Sequence, residues 1–167
     1  MNYFELFQLP VNFKIDYKLL TTHFYDLQRQ FHPDRYINFS HKNKIYYLQQ
    51  SALINKAWQV LRYPLSRAEY VLTLYGVNKE YGTIKDQKFL SQQMNLREEY
   101  EELKKTMDIK KINKFTSSIN RIIKKLHQNM EFTMENQQWK IAVTIIQKIH
   151  FYNRIRSNIE ELENFEL

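Results

Sequence analysis

Apolar residues along this chain recur at helical spacing almost from end to end. Leu20, Phe24, Leu27 and Phe31 stand four, three and four apart, one face of a helix for which Asp16 is a natural N-cap. Lys18, Thr22, Tyr25 and Arg29 fall on the opposite face, which is polar with a basic bias. A second helical stretch runs from about Lys42 to Arg62, with Leu48, Ala52, Ile54, Ala57, Trp58 and Leu61 as core candidates. Two amphipathic helices joined by a loop of about ten residues pair antiparallel. Pro64 opens a third, shorter helix carrying Leu65, Ala68 and Leu72 and ended by Gly76. A short element at Tyr3 to Phe7 covers the open end of the pair.

Three longer periodic stretches follow. Phe89 to Met107 offers Leu96, Tyr100, Leu103 and Met107. Ile109 to Thr133 offers Ile112, Phe115, Ile119, Ile122, Leu126 and Met130. Trp139 to Leu162 offers Val143, Ile146, Ile149, Ile155, Ile159 and Leu162. Neither Gly nor Pro interrupts them, and no strand-like alternation bounded by turn residues occurs, so the expected class is all-α. The two glycines, Gly76 and Gly82, bracket a polar stretch in a chain otherwise without Gly, and all three prolines precede them. The expected organisation is an N-terminal unit over 1–75 built on an antiparallel helical hairpin, a linker over 76–86, and a C-terminal three-helix bundle over 87–167.

Composition narrows the chemistry. The apolar and aromatic fractions, 43% and 15%, are those of a folded protein. With no cysteine, thiolate catalysis, thiolate zinc sites and Cys-ligated clusters are excluded. His23, His41, His127 and His150 show no metal-site spacing, and no nucleophile arrangement or phosphate-cradling glycine loop appears, so an enzyme, a metal centre and a cofactor are not expected. No secretory signal or transit segment opens the chain, and its longest apolar run, Ala142 to Ile146, is far short of a membrane span. A bacterial cytoplasmic protein is the expectation. The net charge of +7 raises the possibility of nucleic acid, but it is spread as +4 over residues 1–76 and +3 over 77–167, without a cluster of arginines on one helix.

Proline disfavours the α region for its predecessor, so His32 ends the first long helix and Pro33 places Asp34 in a turn at the hairpin tip. Arg29, Arg35, Lys42 and Lys44 make that tip positive around one outward carboxylate, which suits an acidic partner offering an arginine or lysine to Asp34. His32-Pro33-Asp34 between two antiparallel helices resembles the signature of J-domain co-chaperones. YFELFQLP before it resembles their first helix, and INKAWQVLRYPLSRAEY, Ile54 to Tyr70, their third and fourth. Asp26 to Gln30 (DLQRQ) and Ala52 to Tyr70 resemble the HscB family of iron–sulfur assembly co-chaperones more closely still, and FLSQQMNLREEYEEL and FYNRIRSN extend the likeness through the second half.

The resemblance implies that the J-domain activates the ATPase of a DnaK-class chaperone, HscA, through His32, Pro33 and Asp34, supported by Arg29 and Arg35. It also implies that the C-terminal bundle binds the iron–sulfur scaffold protein IscU through Leu90, Met94 and Phe151, edged by Glu98 and Glu102. Two positions depart from the family pattern: Ser91 stands where a methionine is familiar and Asn95 where a glutamate is. The family likeness further implies a monomer without a resident cofactor. Leu90, Met94, Glu98 and Glu102, each four apart, lie along one side of a helix. The competing reading of the apolar three is ordinary core, and of the acidic run from Glu98 to Glu102 a solvated helix face.

Overall fold

In the computed structural model, residues 1–77 and 86–165 are described, and the chain divides into two compact units, Met1–Asn78 and Lys79–Leu167. Seven α-helices and one 3-10 turn make up the described residues, with no strand among them.

The first unit holds α1 (Tyr3–Leu6), α2 (Tyr17–Phe31), a 3-10 turn (Pro33–Tyr36), α3 (His41–Arg62) and α4 (Pro64–Leu74). Asp16 caps α2 by accepting the Leu19 N–H at 3.0 Å, and Pro64 occupies the first turn of α4. Gly76 ends α4 at φ 66°, where its N–H reaches the Thr73 carbonyl and the next N–H reaches that of Leu72, a left-handed close that favours glycine. Gly82 lies outside the described residues. The α2–α3 hairpin is antiparallel, with Phe24 stacked on Trp58 at 4.2 Å near its base and Phe31 against Tyr47 near its tip. Tyr3 stacks on Tyr70, whose hydroxyl accepts the Tyr3 N–H at 3.0 Å, so α1 is fastened to α4.

Arg67 is the buried charge of this unit. Its guanidinium donates to the carbonyls of Phe13 (2.7 Å) and Leu61 (2.8 Å) and lies over the Phe13 ring, tying the segment before α2 to the end of α3. Leu48 and Ala52, expected in the core, face solvent instead, Leu48 at 54% exposure. The α3 face that meets α2 near the tip runs through Tyr47, Ser51 and Ile54, so those two positions fall outward.

The second unit holds α5 (Gln87–Thr106), α6 (Ile109–Glu135) and α7 (Trp139–Asn164). α6 and α7 form an antiparallel pair, with Thr116 meeting Glu163 near one end, and α5 packs on them through Phe89, Leu96, Tyr100 and Leu103. Asp86 caps α5 through the N–H groups of Lys88 and Phe89 and lies 3.5 Å from Lys148 of α7. The Phe89 N–H, ahead of the Lys148 ammonium, holds the Asp86 carboxyl below the usual carboxylate range despite some opposing desolvation. Met107 does not extend the α5 core. It ends the helix in the left-handed region at φ 50°, its N–H on the Leu103 carbonyl, in a place glycine usually takes. Ile122 is exposed and its neighbour Ile123 fills the core position. Trp139 is half-buried at the first residue of α7.

Candidate functional site

The hairpin tip is shaped by Pro33. His32, its predecessor, takes an extended conformation (φ −63°, ψ 130°), and the chain then makes one 3-10 turn closed by the Arg35 N–H on the His32 carbonyl at 3.1 Å. Within the turn the Asp34 N–H donates to His32 Nδ1 at 3.3 Å, and Nδ1 also stands 3.6 Å from Asp34 Oδ2. The first contact needs Nδ1 as an acceptor and the second needs it to carry a hydrogen, so the two are alternatives. The Asp34 side chain is 81% exposed, an outward carboxylate on a turn whose backbone is held by the ring beside it.

Two further contacts anchor this turn. Arg35 Nη1 donates to the Arg29 carbonyl at 2.8 Å, closing an open carbonyl at the end of α2. The Tyr36 hydroxyl donates to the Gln30 carbonyl, and its ring stacks flat on Tyr47 (3.4 Å between centroids, 6° between planes), with Phe39 edge-on to both. The aromatic clamp of Tyr36, Phe39 and Tyr47 is the part that the reading of the sequence missed. Its signal was there in the tyrosines and phenylalanines on either side of the turn.

Arg29, His32 and Arg35 line one open depression with Thr22, Tyr25, Asp26 and Gln28, so three of the five expected tip residues share a surface, while Pro33 and Asp34 stand outside it. Arg29 also pairs with Asp26 one turn back along α2. On the other side of the turn Pro33, Tyr36 and Lys44 border a smaller apolar hollow of about 180 Å³ that Leu48 and Ile37 complete.

On the second unit, Leu90 and Met94 are exposed on α5, at 39% and 63%, with Glu98 and Glu102 exposed further along the helix. Phe151 does not join them on the surface. It is 4% exposed, edge-on to Phe89 at 5.5 Å and to Tyr152 at 5.2 Å, in the core shared by α5, α6 and α7. The expectation of a surface phenylalanine is therefore corrected: α7 is flanked by both α5 and α6 here, so consecutive residues Phe151 and Tyr152 are both covered. What Phe151 still reaches is the floor of a small hollow of about 170 Å³ with Arg97, Tyr100 and Arg154. No group of histidine and carboxylate side chains suited to a metal ion occurs among the described residues. No helix among the described residues is long and apolar enough to cross a membrane.

An antiparallel hairpin whose tip is a His-Pro-Asp turn with an outward carboxylate, set beside a basic helix face, defines a J-domain. The comparisons carry this through the whole chain. Residues 85–160 match the model described as the HSCB C-terminal oligomerisation domain. The structure is similar to the chaperone HscB from Vibrio cholerae, with a TM-score of 0.84 and 34% identity over 100% of both chains. It is also similar to human co-chaperone protein HscB, with a TM-score of 0.86 and 26% identity over 100% of this chain and 84% of that one. The chain belongs to the HscB family of co-chaperones.

Proposed function

We propose that the first unit docks on the ATP-bound form of a DnaK-class chaperone, HscA, and accelerates its ATP hydrolysis, while the second carries the iron–sulfur scaffold protein IscU to it. The observation that carries the first half is the Asp34 carboxylate, exposed on a turn fixed by His32, Pro33 and the Tyr36–Tyr47 stack. A cationic side chain on the chaperone would meet a preorganised acceptor there, with Arg29 and the α2 face giving electrostatic guidance. Arg35 spends one donor on holding the turn and so acts as a positioning residue as much as a contact.

For the scaffold, the exposed pair Leu90 and Met94 supplies an apolar contact and Glu98 and Glu102 a charged edge, with Phe151 supporting α5 from beneath. The protein does no bond chemistry in this reading; it shifts its partner towards the hydrolysing state. A bacterial cytoplasm, with its thiol-reducing conditions, fits a chain without cysteine.

Steady-state ATP hydrolysis by HscA tests it, with this protein and IscU added separately and together. Stimulation is expected, with a synergistic rise when both are present. Asp34→Asn, an isosteric change at an exposed side chain, is expected to lose most of the stimulation at unchanged helical content. Full stimulation by that variant would refute the role of the turn, and stimulation without synergy would refute scaffold delivery.

A further inference from the structure

The second unit has a groove that the functional reading above does not use. It runs between α5 and α6, encloses about 390 Å³, and has an apolar floor of Leu96, Leu103, Phe115 and Ile119. That volume falls within the range of pockets that take ligand groups, about 300–1,000 Å³. Its walls carry opposite charge. Glu99 and Glu102 stand on the α5 side, Lys111 and Lys114 on the α6 side. None of these four belongs to an ion pair among the described residues, so neither wall neutralises the other. Ile122, also lining the groove two turns further along α6 than Lys114, leaves an apolar side chain partly in water.

Charged walls that stay unpaired over an apolar floor form a complementary template: an occupant gains apolar burial below and an opposite charge on each side. Glu102 belongs both to this groove and to the α5 edge proposed to meet the scaffold, so the two surfaces are continuous. We propose that the α5–α6 groove is a second docking site for the same scaffold partner, taking an amphipathic segment with apolar side chains on the floor. That segment would place a carboxylate against Lys111 and Lys114 and a basic side chain against Glu99 and Glu102. The inference rests on the proposed binding of the scaffold by the second unit, and it widens the contact from one helix face to two helices.

Calorimetric titration of the full chain with IscU tests it through three variants, each checked for unchanged helical content. Lys111→Glu/Lys114→Glu reverses the basic wall. Met94→Glu spoils the α5 patch. Lys124→Glu/Lys125→Glu reverses two exposed charges of α6 that do not line the groove. Loss of affinity of roughly tenfold is expected for the first, shrinking as salt is raised, with little change for the third. Loss from Met94→Glu alone would overturn the groove and leave the patch standing. Loss from the basic-wall variant alone would support the groove and overturn the patch. Equal loss from both lysine pairs would overturn the groove in favour of a diffuse field over α6. No loss in any variant, or no binding by the unaltered chain, would overturn both.

Discussion

Replacing Phe151 separates a core residue from a surface contact. Its ring is almost wholly enclosed, edge-on to Phe89 and Tyr152. Removing it in Phe151→Ala exposes or empties about 150 Å² of apolar contact, worth about 4 kcal/mol at about 25 cal/mol per Å². That agrees with the cost of about 3–5 kcal/mol typical of buried Phe→Ala changes. With a urea slope of about 1 kcal/mol per molar for a small unit, the midpoint should fall by about 3–4 M. Phe151→Leu, which keeps most of the volume but loses the ring edges, should lower it by about 1–2 M and stays measurable if the alanine variant does not fold. Each unit contains one tryptophan, so fluorescence in a Trp58→Phe background follows Trp139 and reports the second unit alone. Scaffold affinity of Phe151→Leu, measured well below the unfolding range, should change little. An unmoved midpoint together with a collapse in scaffold affinity would refute the burial argument and put the ring back on the surface.

Arg67→Leu strands the Phe13 and Leu61 carbonyls that the guanidinium now satisfies, and should cost the first unit about 3 kcal/mol, read as a lower urea midpoint from Trp58. An unchanged midpoint would show that water replaces the guanidinium without loss. Burial pushes the His127 imidazole below its ordinary 6.5, with Arg156 adding to the effect and Glu131 opposing it. The unfolded chain then binds a proton that the folded one resists, so stability is full above that value and falls as pH drops through it. His127→Gln should flatten this part of the stability profile, measured by urea titration between about pH 7 and pH 5; a profile identical to that of the unaltered chain would count against it.

Helix positions were legible because heptad-like spacing, N-caps and the prolines all agree along this chain. Asp16, Pro33, Pro64 and Gly76 each occupy the boundary that their backbone chemistry dictates. The tip was legible for the same reason: proline leaves His32 few conformations. Depth was not. Periodicity names the apolar face of a helix but not how many neighbours flank it; α7 has two, and Phe151, placed on the surface patch by family resemblance alone, lies between them. Leu48 and Ala52 failed in the opposite sense, since α3 turns Tyr47, one position earlier, towards α2. The groove between α5 and α6 was out of reach altogether, because its opposed charges come from helices whose register only the packing decides.

The fastening of the first unit has a consequence for its synthesis. The Tyr3 backbone finds its partner in Tyr70, 67 residues on, and the Phe13 carbonyl finds its own in Arg67, 54 residues on. The earliest residues of the chain therefore wait for nearly the last residues of their unit before these bonds close. Contacts of such long sequence separation carry a loop-closure cost that is met before they reward it. On the ribosome, α2 and α3 have the sequence to pair as soon as both are free, and Phe7 can join them through its carbonyl on His23 and its ring on Phe24, but the Tyr3–Tyr70 and Phe13–Arg67 bonds wait until α4 has emerged. Two of the bonds that steady the base of the hairpin thus depend on a helix made after both of its arms.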